Sequence, residues 1–160
     1  MTALAARRNR AVLMYRQPMR SVLVARHLSD FADRVLVACP RCEGMGAVEV
    51  HTPAGGPAVR RMTCESCATV VEEEASAGRV SLGLPLWLRA ETRHGELVAL
   101  NEAHLEYIET YVAGTLRKER GDGTGLRNQS VISRLPRWVK SAKNREEVLK
   151  AISRARSRLS

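Results

Sequence analysis

Aromatic side chains are scarce: Phe31, Trp87, Trp138, Tyr15, Tyr107 and Tyr111 are the six in 160 residues. A chain so thin in large rings is expected to build a modest core and to need a further source of stability. Long apolar runs are missing as well. No stretch approaches the ~18–20 residues of a membrane-spanning helix. The apolar stretches near the N-terminus, Ala11–Tyr15 and Val22–Ala25, are too short for the apolar segment of a secretory signal. A cytoplasmic protein, with one domain or a small domain carrying tails, is the expectation at this length.

Acidic residues are absent from 1–29, which hold six Arg. Residues 30–116 have a net charge of −6 and residues 117–160 of +9, for a total of +9. Two basic ends therefore flank an acidic middle, and a nucleic-acid partner is suggested only for the ends. Four segments are expected: a basic, disordered arm (1–33), a cysteine-bearing β unit (34–75), a β-hairpin with an amphipathic helix (76–120), and a basic helical tail (121–160). The arm also has the Arg-rich, acid-free character of a transit peptide, but little serine.

The four cysteines stand in two pairs, Cys39-Pro40-Arg41-Cys42 and Cys64-Glu65-Ser66-Cys67, separated by 21 residues. Two intervening residues allow a tight turn to point both sulfurs inward and supply half of a tetrahedron. Cys39, Cys42, Cys64 and Cys67 are thus expected to hold one zinc ion. Four thiolates leave no open position, so the ion would be structural. Disulfides are disfavoured in a cytosolic setting. A redox C-x-x-C would open a helix, and neither pair precedes a helical pattern.

Short β-branched runs surround the pairs. Val35–Ala38 leads into the first, Ala47–Val50 leaves it, Ala58–Thr63 returns to the second and Thr69–Val71 follows, with His51–Pro57 as the turn between the inner runs. The pattern resembles a zinc ribbon of the transcription-factor-IIB type, which implies an antiparallel sheet and says little about function. Cys39 to Gly46 also resembles one C-x-x-C-x-G-x-G repeat of J-domain chaperones, but no glycines follow Cys67. Gly44 and Gly46 are expected to take positive φ in the turn. His51 is expected to face solvent, and Glu72–Glu74 to form a charged edge that discourages strand aggregation.

Beyond the small-residue linker Ala75–Gly78, the runs Leu84–Leu88 and Leu97–Leu100 suggest a second hairpin with Arg89–Glu96 as its loop, where His94 is isolated. Asn101 caps a helix with Leu105, Ile108, Val112, Thr115 and Leu116 as its apolar stripe. Tyr107 and Tyr111 beside that stripe fit core-edge packing better than base stacking. Gly121–Gly125 is a flexible break without the lysine of a phosphate loop. In the tail, Ser130–Leu135 is helical until Pro136. Asn144 and Glu147 then resemble a capping box opening a helix to about Leu159, with Val148, Leu149, Ile152, Ala155 and Leu159 inward. Lys140, Lys143, Arg145 and Arg154 are the candidates for phosphate binding on this cationic surface.

Several motifs recur in order: Gly83–Leu88; Asn101 with His104 and Leu105; Tyr111-Val112; Leu116-Arg117; Asn128 with Ser130; Arg134-Leu135-Pro136 with Trp138; and Ala142–Arg145. On these, residues 35–159 are similar to a poorly characterised group of bacterial zinc-ribbon proteins that join a ribbon to a C-terminal helical module. The resemblance implies fold and zinc, and no established activity. Some of those proteins carry a cysteine pair where this chain has Thr92–Gly95, so no second metal site is expected.

The fold class expected is therefore small α+β: an antiparallel zinc ribbon followed by a β-hairpin and C-terminal helices. The functional expectation is a non-enzymatic module binding nucleic acid or a nucleic-acid-associated protein, without a membrane or small-molecule substrate. The alternatives are a protein–protein adaptor using the acidic ribbon and amphipathic tail, and a chaperone-like zinc protein.

Overall fold

The computed structural model describes residues 23–76, 78–114, 119–120 and 129–160. The expectations for residues 1–22, the helix residues Thr115 and Leu116, and the break at 121–125 lie outside these. The chain is small α+β. After a two-residue strand β1 (Leu23–Val24) and a 3-10 turn at Leu28–Phe31, four strands follow: β2 (Arg34–Ala38), β3 (Met45–His51), β4 (Val59–Cys64) and β5 (Val70–Glu74). They form one antiparallel sheet in the order β2-β3-β4-β5.

Period-two alternation decides which way the sheet faces. Val35, Val37, Val48 and Met62 point inward and are fully buried. On the outer face Arg34 stands opposite Glu49, Glu49 opposite Arg61, and Arg61 opposite Glu72. Alternating charge therefore crosses all four strands, with Arg34–Glu49 and Arg61–Glu72 ion pairs formed. A one-residue slip would bring apolar residues out and break the ladder, so the two faces specify the same register. β5 runs on through the three glutamates to Glu74, past the Val71 end suggested by hydropathy. Glu72 meets Arg61, and Glu73 meets Arg79 at 2.7 Å.

The second hairpin differs from expectation. Its strands are β6 (Leu88–Thr92) and β7 (Gly95–Ala99), closed by Arg93 and His94 alone. The polar residues expected in a loop are the outward half of an alternation: Arg89, Glu91 and Glu96 are exposed, Ala90 and Leu97 buried. Gly95, at φ 133°, supplies the conformation the turn needs. Leu84–Trp87 runs instead beside β2, where the Ala38 N–H donates to the Pro85 carbonyl and the Trp87 N–H to the Leu36 carbonyl. The Leu36 N–H donates to the Leu100 carbonyl at 2.8 Å. β2 is therefore covered on its outer side, and β5 remains the charged edge.

Asn101 caps α1 (Glu102–Ala113), accepting from the His104 N–H at 2.9 Å. Tyr107 and Tyr111 are buried, and the Tyr107 hydroxyl donates to the Val24 carbonyl, which fits their core-edge reading. β8 (Glu119–Arg120) pairs parallel with β1. In the tail, Ser130 caps a single turn, α2 (Val131–Arg134), and Pro136 separates it from α3 (Arg137–Lys140). The last helix, α4 (Arg145–Arg156), buries Val148, Ala151, Ile152 and Ala155 and packs on β6 and α1.

Leu149 is only half-buried on α4, and Ala151 takes the inward place. The capping box does not form. Ala142–Asn144 is a 3-10 turn leading straight into α4, so Asn144 lacks the extended backbone of a cap. Its side chain donates to the Trp138 carbonyl, and Glu147 pairs with Arg93 at 2.9 Å.

Candidate metal centre

Each cysteine pair sits where one strand of the sheet hands over to the next. The turn from β2 to β3 carries Cys39 and Cys42; Cys64 ends β4, and Cys67 lies in the turn to β5. The two turns share one construction. The Cys39 N–H donates to the Gly44 carbonyl and the Glu43 N–H to the Cys39 carbonyl. In the second, the Cys64 N–H donates to the Thr69 carbonyl and the Ala68 N–H to the Cys64 carbonyl. In both, the residue after the second cysteine is left-handed: Glu43 at φ 58° and Ala68 at φ 55°.

Positive φ thus falls beside the glycines, not on them. Gly44 and Gly46 are required for space: a Cβ on Gly44 would lie 3.0 Å from Ser66 Oγ, and one on Gly46 2.8 Å from Met62 Sδ. The first glycine keeps the two turns close together, and the second keeps Met62 against the sheet.

The four Sγ atoms lie within 4.8 Å of one another. Cys39 and Cys67 are 3.7 Å apart, and Cys42 and Cys64 3.5 Å. A tetrahedron with metal–sulfur bonds of ~2.3 Å has edges of ~3.8 Å, so the set has the dimensions to hold one metal ion. Cys39 and Cys64 are buried, while Cys42 is exposed, so one side of the site meets solvent.

The sulfurs are not electrostatically equivalent. Burial raises Cys39, but N–H groups of Arg41 and Cys42 help leave it below the ordinary thiol value. The Gly44 N–H lowers Cys42, yet the Cys67 and Cys64 sulfurs and burial outweigh it and push it up to about 12. The Thr69 hydroxyl, 3.2 Å from Cys67 Sγ, and the Thr69 N–H hold Cys67 down at about 6. Four thiolates this close repel one another, so a proton stays on Cys42 unless a cation takes its place. Thr69 had no signal in the cysteine spacing; its polar side chain immediately after the second turn was the available hint.

His51 ends β3 and is exposed, away from the donor set. His94 is not isolated: its ring stacks 6.0 Å from Trp138, and its Nε2 lies 3.7 Å from Glu147. The four phosphate candidates occupy different surroundings. Lys140 donates to the Ser133 carbonyl at 3.0 Å, Arg145 to the Gly114 carbonyl at 3.0 Å, and Arg154 to the Glu91 carbonyl at 2.8 Å. Lys143 is exposed. Arg145 thereby satisfies the carbonyl at the C-terminal end of α1, a structural use of its charge.

Among the described residues no helix is long and apolar enough to cross a membrane. Comparison with known proteins finds no matching family model, no matching curated protein and no matching solved structure.

Proposed function

We propose that the chain is a zinc-ribbon module of the transcription-factor-IIB type, holding one structural zinc through Cys39, Cys42, Cys64 and Cys67. It acts without catalysis, in the cytoplasm, as a binder of nucleic acid or of the proteins that handle it. The observation carrying the proposal is the convergence of four Sγ atoms within 4.8 Å. Soft thiolates at tetrahedral spacing select zinc over hard cations, and four protein ligands close the ion to substrate. The nucleic-acid part is supported by the net charge of +9, concentrated outside the sheet. The acidic adaptor surface has less to recommend it, since Glu72 and Glu73 are neutralised by Arg61 and Arg79.

Elemental analysis of the purified protein is expected to give one zinc per chain, and each Cys→Ser substitution to lower that content. Metal-free protein with an intact sheet would overturn the zinc assignment, and iron in its place would correct it. Binding to DNA or RNA should weaken steeply as salt rises, because each phosphate contact releases counterions. A protein that bound neither at low salt would leave the adaptor reading standing.

A further inference from the structure

A cavity of about 390 Å³ opens beside the first cysteine turn, between that turn and the start of the hairpin. Its walls include Pro40, Glu43, Leu84, Pro85, Arg89 and Arg158. The apolar part comes from the segment running beside β2, and the cationic part from two arginines distant in sequence. Arg158 is held in place twice. Its guanidinium lies 4.5 Å above the Trp87 ring, and its carbonyl accepts the Trp87 indole N–H at 2.9 Å. Among the described residues, that guanidinium makes no ion pair and no hydrogen bond. Arg89 has only Glu96 opposite, at 3.9 Å and exposed, a contact too long and too wet to consume its charge. Arg41, at the tip of the same cysteine turn, is exposed, and its side chain has no partner among the described residues.

We infer that this groove, rather than the tail quartet, is where the module takes a single strand of nucleic acid, with a phosphate on Arg89 and Arg158 and a base against the apolar wall. The inference rests on the nucleic-acid reading above and gives it a location. Three observations favour a single strand. The site is concave and of nucleotide size, which admits a splayed-out base and excludes the convex edge of a duplex. Its cations are arginines, whose planar forks match phosphate oxygens and stack on rings. One of them is already ordered over Trp87, so little side-chain freedom remains to be lost on binding. The tail candidates lack this readiness, since Lys140, Arg145 and Arg154 each already serve a carbonyl of the fold.

The test is an anisotropy titration of the zinc-loaded full chain with a labelled oligothymidylate at several salt concentrations. Replacing Arg89→Gln and Arg158→Gln together should weaken binding by about tenfold or more and flatten the log-salt slope by about 1.4, or about 0.7 for each lost phosphate contact on a single strand. Lys143→Gln with Lys150→Gln removes the same charge from exposed positions elsewhere and should have a clearly smaller effect. Zinc content and helical circular dichroism of each variant verify folding. An independent readout is Trp87 emission in a Trp138→Phe background, where it is the sole tryptophan; the oligonucleotide should change it. Equal losses from both double variants, an unresponsive Trp87, or a duplex that binds as tightly would overturn the groove while leaving nucleic-acid binding intact. A wild-type protein that bound no oligonucleotide, but bound polyglutamate through the same arginines, would overturn both readings at once.

Discussion

His104 shows how much a single side chain can hold in this fold. It lies in the first turn of α1, 6% exposed, stacked 4.9 Å from Phe31. Its Nδ1 accepts the Leu100 N–H at 3.1 Å, which leaves the proton of the neutral ring on Nε2, a buried atom with no partner. Burial, reinforced by the charge of Arg26, lowers its pKa to about 4 from an ordinary 6.5. The folded state therefore binds the proton less readily than the unfolded chain. The stability this confers is present above pH 6.5 and is lost as pH falls through 4. An NMR titration of the His104 ring should find it neutral throughout the mildly acidic range; a midpoint near 6.5 would show that the ring is not sequestered. The cysteines were legible because their chemistry is written in spacing. His104 was not, because burial of a lone histidine depends on residues that are remote in sequence. Gly44 and Gly46 were legible as special positions, but for another reason: contact with Ser66 and Met62 demands their small size, and the backbone strain sits on Glu43 and Ala68.

At the scale of elements, sequence patterns succeeded where one residue's role is local and failed where two segments compete. The strands beside the cysteines follow from β-branched runs, and α1 from its cap and apolar stripe. The hairpin shifted inward because Leu84–Trp87, which reads as a strand, finds its partner in β2. That left the polar alternation from Arg89 to Glu96 to form β6 and β7. Likewise Glu147 resembles a capping residue in sequence, but Arg93 from the hairpin turn claims it. Asn101 joins these elements. Its Oδ1 caps α1, while its Nδ2 donates to the Phe31 carbonyl at 2.8 Å and the Arg34 carbonyl at 2.9 Å. Asn101→Ala should cost about 2–3 kcal/mol, combining a lost cap of ~1 kcal/mol with carbonyls left short of a donor. Asn101→Ser keeps the cap alone and should recover roughly 1 kcal/mol of that loss. Urea unfolding of the three proteins reads the difference; a serine variant as stable as wild type would mean that the amide donors contribute nothing.

For the whole molecule, sheet and helices share one buried cluster that includes Val37, Val48, Met62, Leu105, Val112 and Ile152. A ribbon that unfolds by itself, while the helix from Asn101 persists unaffected, is the expectation from sequence alone; a shared core modifies it. A structural zinc contributes about 10–16 kcal/mol in small peptides at neutral pH, comparable to the ~5–15 kcal/mol of a whole domain. Removing it should therefore lower the stability of the entire fold, but not uniformly. β2 is tied by backbone hydrogen bonds to Pro85, Trp87 and Leu100, independently of any metal. β5 has only β4 beside it, and the turn from Cys64 to Thr69 that joins them is also half of the metal site. Opening should begin at that turn and the β5 edge, where charged side chains also make solvation easy. Hydrogen exchange with and without a chelator tests this: protection should collapse first at residues 64–74, next along β3, and last at the amides of Leu36, Ala38 and Trp87. Unchanged exchange at 64–74 in protein verified as metal-free would show that the cysteines are ornament to the fold. Simultaneous loss at Leu36 would show that β2 depends on the metal as fully as β5 does.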